Sequence, residues 1–328
     1  MTIAPDGSVI LSLHQFQSTS ERVVEIKTDE RVLSFPNRYI SRGDENPSLK
    51  LDSVLGLQID KRGVVWMLDN GRRGETQPKL VAWNRRENKL HKVIYLPPPA
   101  TVGVSFLNDL AIDPEHPFIY LSDPADGKRA ALIIVNTETG LARRVLEGHY
   151  SVVPEDIPLA IDGRPVEVRR PDGSKVRPLS GVNPIAMDRK GNWLYFGPML
   201  GRTLYRISGK YLRDPSLKAA DIASRVEGYA AKPPCDGISI DTRNNIYISD
   251  LQNKAIGIIR ESDRKYEIYI KHDRFQWPDG LCFGPDDRLY FYASQLNCMP
   301  QYHDGKDCTV HPFLIFKIKA LASGVVGR

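Results

Sequence analysis

The chain has 328 residues, 41% hydrophobic and 26% charged, a balance ordinary for a soluble globular protein with a large core. No apolar run approaches the roughly 18 residues a membrane helix needs, and no basic stretch followed by an apolar segment marks a leader. The net charge of +5 comes from scattered pairs such as Arg72-Arg73, Arg85-Arg86, Arg143-Arg144 and Arg169-Arg170. That pattern argues against a nucleic-acid face, which gathers its basic residues beside stacking aromatics.

In chain order, one phrase recurs six times: IAPDGSVILSLH from Ile3, LQIDKRGVVWMLDN from Leu57, LAIDPEHPFIYLSD from Leu110, IAMDRKGNWLYFGP from Ile185, ISIDTRNNIYISDL from Ile238 and LCFGPDDRLYFYAS from Leu281. Each reads as strand, tight turn, strand, with an alternating run of aromatic and β-branched residues, of period two, in the second strand. Successive starts lie 54, 53, 75, 53 and 43 residues apart. A sheet unit repeated at that period is the signature of a β-propeller, so the expected fold is all-β, a single six-bladed β-propeller over residues 1–328.

The remaining strands follow each phrase. Val9–Leu13, Val23–Ile26 and Val32–Phe35 serve the first blade; Leu80–Trp83 and Lys92–Leu96 the second; Leu132–Val135 and Arg143–Leu146 the third. Leu204–Ile207 and Ala220–Val226 serve the fourth, Ile256–Ile259 and Tyr266–Ile270 the fifth, and Phe313–Ile318 the last. Each end of the chain reads one strand short. The 75-residue interval contains an insertion, His149–Ser180, and a second long loop spans Gln295–His311. Propeller topology brings both to the face where inner strands begin, as two lids over one mouth; loops of this length usually carry function.

Two places before each phrase stand Met1, Leu55, Asn108, Asn183, Asp236 and Asp279. Asn and Asp are depleted in strands, so four in one register, on adjacent blades, point to a convergent polar site as well as to turns. Asp236, Asn108 and Asp279 are the candidate catalytic residues. Asn183, Asp236 and Asp279 are candidate oxygen ligands for Ca²⁺ or another divalent cation. In the lids, His149, Glu155, Asp156, Gln295 and His303 are candidates for contact with substrate. The acids ending second strands (Asp69, Asp123, Asp250) and those in the turn (Asp60, Asp113, Asp188, Asp241) read as structural. No nucleophile elbow, zincin pair, P-loop or dinucleotide fingerprint appears. The seven histidines, His14 among them, are dispersed without metal-ligand spacing. Cys298 and Cys308 bracket a polar loop and are expected to pair, which suits an oxidising compartment. Cys235 and Cys282, offset by about 13 Å at strand rise, are expected to stay free.

The segments VVWMLDNG (Val64–Gly71), FLNDLAID (Phe106–Asp113), GVNPIAMD (Gly181–Asp188), CDGISID (Cys235–Asp241) and WPDGLCFGPDDRLYF (Trp277–Phe291), with the closing FLIFKIK, resemble the major royal jelly protein / Yellow family. The resemblance implies a six-bladed propeller. It also implies a mixed range of functions: secreted nutritive proteins, binders of small amines, and members linked to isomerisation of pigment precursors. More distantly the chain is similar to the SMP-30/gluconolactonase/luciferin-regenerating propellers, which hold a divalent metal at the mouth. By that likeness Asn108 matches the assisting Asn, and Asn183 and Asp236 match ligands. The ligand Glu falls at Met1, a departure that Asp279 is placed to offset.

Three functions follow as expectations. The first is an enzyme acting on a small organic molecule at the mouth, of hydrolase, isomerase or cyclase type. The second is a non-catalytic binder of a small amine or phenol, and the third a protein-interaction propeller. The expected partner is a small organic molecule, with no nucleic acid, no membrane and no organic cofactor, and the chain is expected to be a monomer. A secreted or periplasmic location is expected if a leader has been removed, otherwise a cytoplasmic one.

Overall fold

The computed structural model describes residues 1–13, 19–42, 49–170 and 172–328, with the backbone but not the side chain of Arg73. His14 lies outside the described residues. Six antiparallel sheets follow one another in chain order, and their inner strands pack side by side into a closed ring, the sixth against the first. The fold is a six-bladed β-propeller. Five blades have four strands and the sixth has three.

Burial explains the phrase. The second strand of each blade lies between two neighbours in its own sheet and between two other blades, so Val64–Asp69 is buried throughout. Alternate side chains serve opposite neighbours. Ile119 and Leu121 pack on Val64, Trp66 and Leu68 of blade 2, while Tyr120 packs with Leu194 and Phe196 of blade 4. Outer strands such as Lys89–Tyr95 and Tyr266–Lys271 face solvent and carry the charges.

The turn aspartates hold the far ends of the inner strands. Asp60 accepts from the backbone N–H of Arg62 and Val64, and Asp241 from those of Arg243 and Asn245. Asp113 goes further: it takes the N–H of Glu115 and His116, the Tyr120 hydroxyl at 3.2 Å and Arg213 at 2.7 Å. The acids ending second strands are structural too. Asp69 takes the N–H of Asp52 and Ser53 and pairs with buried Lys79 at 3.0 Å; Asp123 takes Ser105 Oγ and Arg144, both at 2.6 Å.

The ring closes from both ends. Blade 1 begins with a two-residue inner strand, Thr2–Ile3, so it is not one strand short; only blade 6 is. After the last strand, Ile315–Lys319, the chain turns beneath the ring. Ser323 O accepts from Thr242 N of blade 5, Gly327 O from Thr2 Oγ1 of blade 1, and Arg328 Nη1 donates to Ile112 O of blade 3. A second difference concerns Ala220–Val226, which is not the outer strand of blade 4. Its alanines form a short helix, Ala219–Ala223, whose start is fixed by Asp221 accepting from Lys218 N at 3.1 Å. The outer strand follows as Glu227–Ala231. Two further short helices, Arg38–Arg42 and Gly209–Arg213, gave no sequence signal.

Cys298 and Cys308 form a disulfide, whereas Cys235 and Cys282 are buried free thiols. Thiol titration of the denatured, unreduced chain should therefore count two thiols, and four after reduction. For the fold itself, Asp113→Ala strands the guanidinium of Arg213, only 15% exposed. The variant should lose about 3–5 kcal/mol in urea denaturation; a loss under about 1 kcal/mol would make the network incidental.

Candidate functional site

The site starts from a backbone irregularity. In blades 2, 4, 5 and 6 the ladder between first and second strands slips by one residue near the head of the inner strand: between Val54 and Leu57, Val182 and Ile185, Cys235 and Ile238, and Asp279 and Cys282. Each slip is a β-bulge, which re-aims side chains beside a sheet end. Here it turns Leu55, Asn183, Asp236 and Asp279 toward the axis. Asn108 sits at the same level in blade 3, where the regular inner strand starts only at Leu110.

Asn108, Asn183, Asp236 and Asp279 line one cavity of about 700 Å³ at the mouth, a size that suits a small organic ligand. Asp236 accepts from Trp277 Nε1 at 2.6 Å and from the Asn183 amide. Asp279 accepts from the Tyr292 hydroxyl at 3.0 Å. Trp277 reaches Asp236 from a left-handed backbone, φ 53°, a rare conformation for so bulky a residue. Gly280 makes room for Tyr292: a Cβ there would lie 2.2 Å from its ring. Gly237 likewise leaves space for the Asp279 carboxylate, and Gly56 for that of Asp109.

Asp109 was missed by sequence reasoning. It occupies the position where the four bulged strands have Gly56, Pro184, Gly237 and Gly280; that contrast was the available signal. Burial, then the charge of Asp279, pushes its carboxyl up to about 7. Burial and the charges of Asp279 and Asp109 raise Asp236 well above the usual carboxylate range, against the pull of the Trp277 N–H. Burial raises Asp279 as well. The α-amino group of Met1 lowers Asp109 and Asp279 somewhat. No lysine or arginine is among the described residues lining the cavity.

The walls are apolar: Leu55, Phe106, Met199, Trp277, Tyr302 and Phe313 are among them. The two insertions reach the cavity through Leu179 and through Leu296, Met299, Tyr302 and His311. They form one cover. Asp304 binds Arg164 at 2.6 Å and Lys175 at 2.7 Å, Arg164 also meets His303 Nε2 at 2.8 Å, and beneath them Ile157, Leu159, Ile161 and Val166 share a core with Trp277 and Tyr302.

The polar lid candidates sit elsewhere. His149 bonds Ser151 Oγ at 2.8 Å and packs on Tyr150. Glu155 accepts from Arg202 N at 2.7 Å, and Asp156 pairs with Arg177 at the surface. Gln295 clasps both backbone groups of Val310, closing the base of its loop. None of these, nor His303, lines the cavity. They hold the cover together because loop backbone needs partners.

The metal reading meets a chemical obstacle. Among the described residues, no three His, Cys, Asp or Glu side chains are gathered to hold an ion. Both oxygens of Asp236 are taken by N–H donors, and Met1, the first residue of the register, is not a carboxylate. Calcium needs six to eight oxygens. The donor set as arranged does not fit it.

Inner-strand polar residues beneath a lidded apolar mouth define a six-bladed propeller with a polar-floored cavity. Residues 52–321 match the model of the major royal jelly protein family, and the chain belongs to that family. It is 24% identical to major royal jelly protein 1 of Apis mellifera over 184 residues, 52% of this chain and 40% of that protein. With major royal jelly protein 5 of Apis mellifera the identity is 24% over 224 residues, 64% of this chain and 35% of that one. The matches thus span well under half of those relatives. Among solved structures, luciferin-regenerating enzyme superposes with a TM-score of 0.59 at 12% identity, over 100% of this chain and 95% of that one. A gluconolactonase from Xanthomonas campestris does so with 0.51 at 12%, over 88% and 87%. At such identities these two enzymes share the fold with this chain, and the likeness carries no further.

Because the folded-state value of Asp109 lies above the unfolded one, the folded chain binds the extra proton between about pH 4 and 7. Its stability therefore falls as pH rises through that window. Asp109→Asn removes the charge, so it should raise Tm relative to the parent more at pH 8 than at pH 5. An equal shift at both would mean that Asp109 is ionised throughout.

Proposed function

We propose that this chain binds a small organic cation, an amine carried on an apolar or aromatic body, in the mouth cavity. The observation that carries the reading is the cavity's chemistry: Asp236 and Asp279 lie on its floor, Asp109 beside them, under apolar walls without a lysine or arginine among the described residues. Carboxylates crowded together favour a ligand that brings the missing positive charge. The phenyl or indole ring of such a ligand suits walls built from Phe106, Trp277 and Tyr302, where aromatic packing and cation–π contact both contribute. The disulfide in the cover favours an oxidising compartment as the place of work.

A second reading, catalysis, rests on the same acids. A carboxyl raised toward neutral pH can give and take a proton, so Asp236 would act as acid or base on a bound substrate in an isomerisation or hydrolysis. The fold shared with a gluconolactonase and luciferin-regenerating enzyme is compatible with this reading.

Calorimetry separates the readings. At pH 8, phenethylamine should bind at least tenfold tighter than neutral 2-phenylethanol, about 1.4 kcal/mol, and phenylacetate should not bind. Asp236→Asn should remove the amine's advantage. Affinity for the amine should fall from pH 8 to pH 6 as the acids take up protons. Equal binding of amine and alcohol would sink the cation reading, while turnover of a lactone, lost in Asp236→Asn, would establish the second.

A further inference from the structure

The opposite end of the ring holds a second cavity, of about 630 Å³, between the bases of blades 2 and 3 and the chain's last residues. Its chemistry is the reverse of the mouth's. Arg328 lines it, half-buried beneath the ring and acted on from a distance by Asp113, Asp188 and Glu115. Nη1 donates to Ile112 O at 2.8 Å, but Nε is shut off from solvent without a hydrogen-bond partner. A buried guanidinium donor left unmet is costly.

The surrounding charges favour an anion. Of the lining carboxylates, Asp60 is held by Arg62 at 2.8 Å, Asp113 by Arg213 at 2.7 Å, and Glu115 lies 3.7 Å from Lys61. Glu138 remains. Among the described residues, Lys92, Arg189 and Arg328 line the cavity with no carboxylate within ion-pair distance, and Lys92 bonds only the carbonyls of Thr137 and Glu138. His91 stands beside them, its basicity lowered by burial and by Arg62, so it adds a neutral polar group. On the other side, Pro114, Pro117 and Phe118 are partly exposed and apolar.

We propose that this base cavity is a second ligand site, taking a small organic anion whose carboxylate or phosphate meets Arg328, Arg189 and Lys92. Its apolar body lies against Pro114, Pro117 and Phe118. A guanidinium fork matches both anions in two-point geometry. The site shares no lining residue with the mouth, so its occupancy is independent of whether the mouth takes a cation.

Thermal shift and calorimetry at fixed ionic strength test this with benzoate, phenyl phosphate and inorganic phosphate on the full chain. The organic anions should raise Tm and bind. Arg328→Gln should weaken them at least tenfold, and Asp236→Asn should leave them unchanged. Arg189 is exposed at the rim, so Arg189→Gln should fold normally and weaken binding even where Arg328→Gln does not fold. Preference for benzoate or for phenyl phosphate distinguishes the two anion sources. Inorganic phosphate binding as tightly as phenyl phosphate would overturn the organic-ligand assignment. No binding of any anion, or binding undiminished in both arginine variants, would overturn the site.

Discussion

The mouth depends on one departure from regular pairing. A regular inner strand would alternate its side chains between the two neighbouring blades, and an Asp or Asn there would be buried in an apolar core. One extra residue near the head of the strand breaks the alternation and frees a side chain for the axis. The glycines that follow do the complementary work. Gly237 and Gly56 yield their space to carboxylates of the next blade, and Gly280 yields to the Tyr292 ring. The polar ring is thus a property of neighbouring blades together, and any change in ring closure would disperse it.

Electrostatics explains why the surrounding structure is so elaborate. Asp109, Asp236 and Asp279 act on one another through their charges, and the protein offsets this only in part, with the α-amino group of Met1, the indole of Trp277, the amide of Asn183 and the hydroxyl of Tyr292. Neutral donors stabilise an ionised carboxylate but add no opposite charge. The acids therefore remain above their ordinary range. Similar crowding at a solvated surface would be weakened by water and screened by salt over about 8–10 Å at physiological ionic strength. The joint cover, held by Asp304 and a small apolar core of its own, limits that screening. Strain is tolerated here as well: Trp277 and Gln295 are both left-handed, and backbone bonds from Ser294 to Trp277 and from Gln295 to Gln276 tie the two segments together.

Much of this was legible in the chain because repetition converts sequence position into spatial position. The six phrases gave the blades, and a shared register brought Asn108, Asn183, Asp236 and Asp279 into one cavity. What could not be read has a common physical cause. Asp109 sits one residue outside the register, in the stretch before the regular inner strand of blade 3 begins at Leu110. Tyr292 belongs to a strand pattern and Trp277 stands just before one, and their polar tips became visible only with the neighbouring segments in place. Ala220–Val226 was read by its place in the blade, yet Ala-rich segments favour helix when an acid can cap the first turn. The lid polar residues failed for the opposite reason: a long loop must satisfy its own backbone, and His149, Glu155 and Gln295 are consumed in doing so.

The two ends of the ring follow from the same strand, read in opposite directions. At the heads of the inner strands of blades 5 and 6 a bulge leaves Asp236 and Asp279 at the mouth, with mostly neutral donors for company. At the foot, a tight turn consumes the recurring Asp in its own backbone N–H groups. An acid spent on a turn no longer offsets cations arriving from elsewhere. Arg62, Arg189 and Arg328 all reach the base of blades 2 and 3, and only Arg62 finds a carboxylate there. Unpaired groups are thereby separated along the axis: acids without a basic side chain at the lidded mouth, and Lys92, Arg189 and Arg328 without a carboxylate at ion-pair distance, among the described residues, at the base. That separation comes from how the repeat distributes its aspartates between bulge and turn, while the net charge of +5 is spread over the whole chain. A propeller built this way presents two chemically distinct cavities on one scaffold, each defined by which backbone groups its acids have already satisfied.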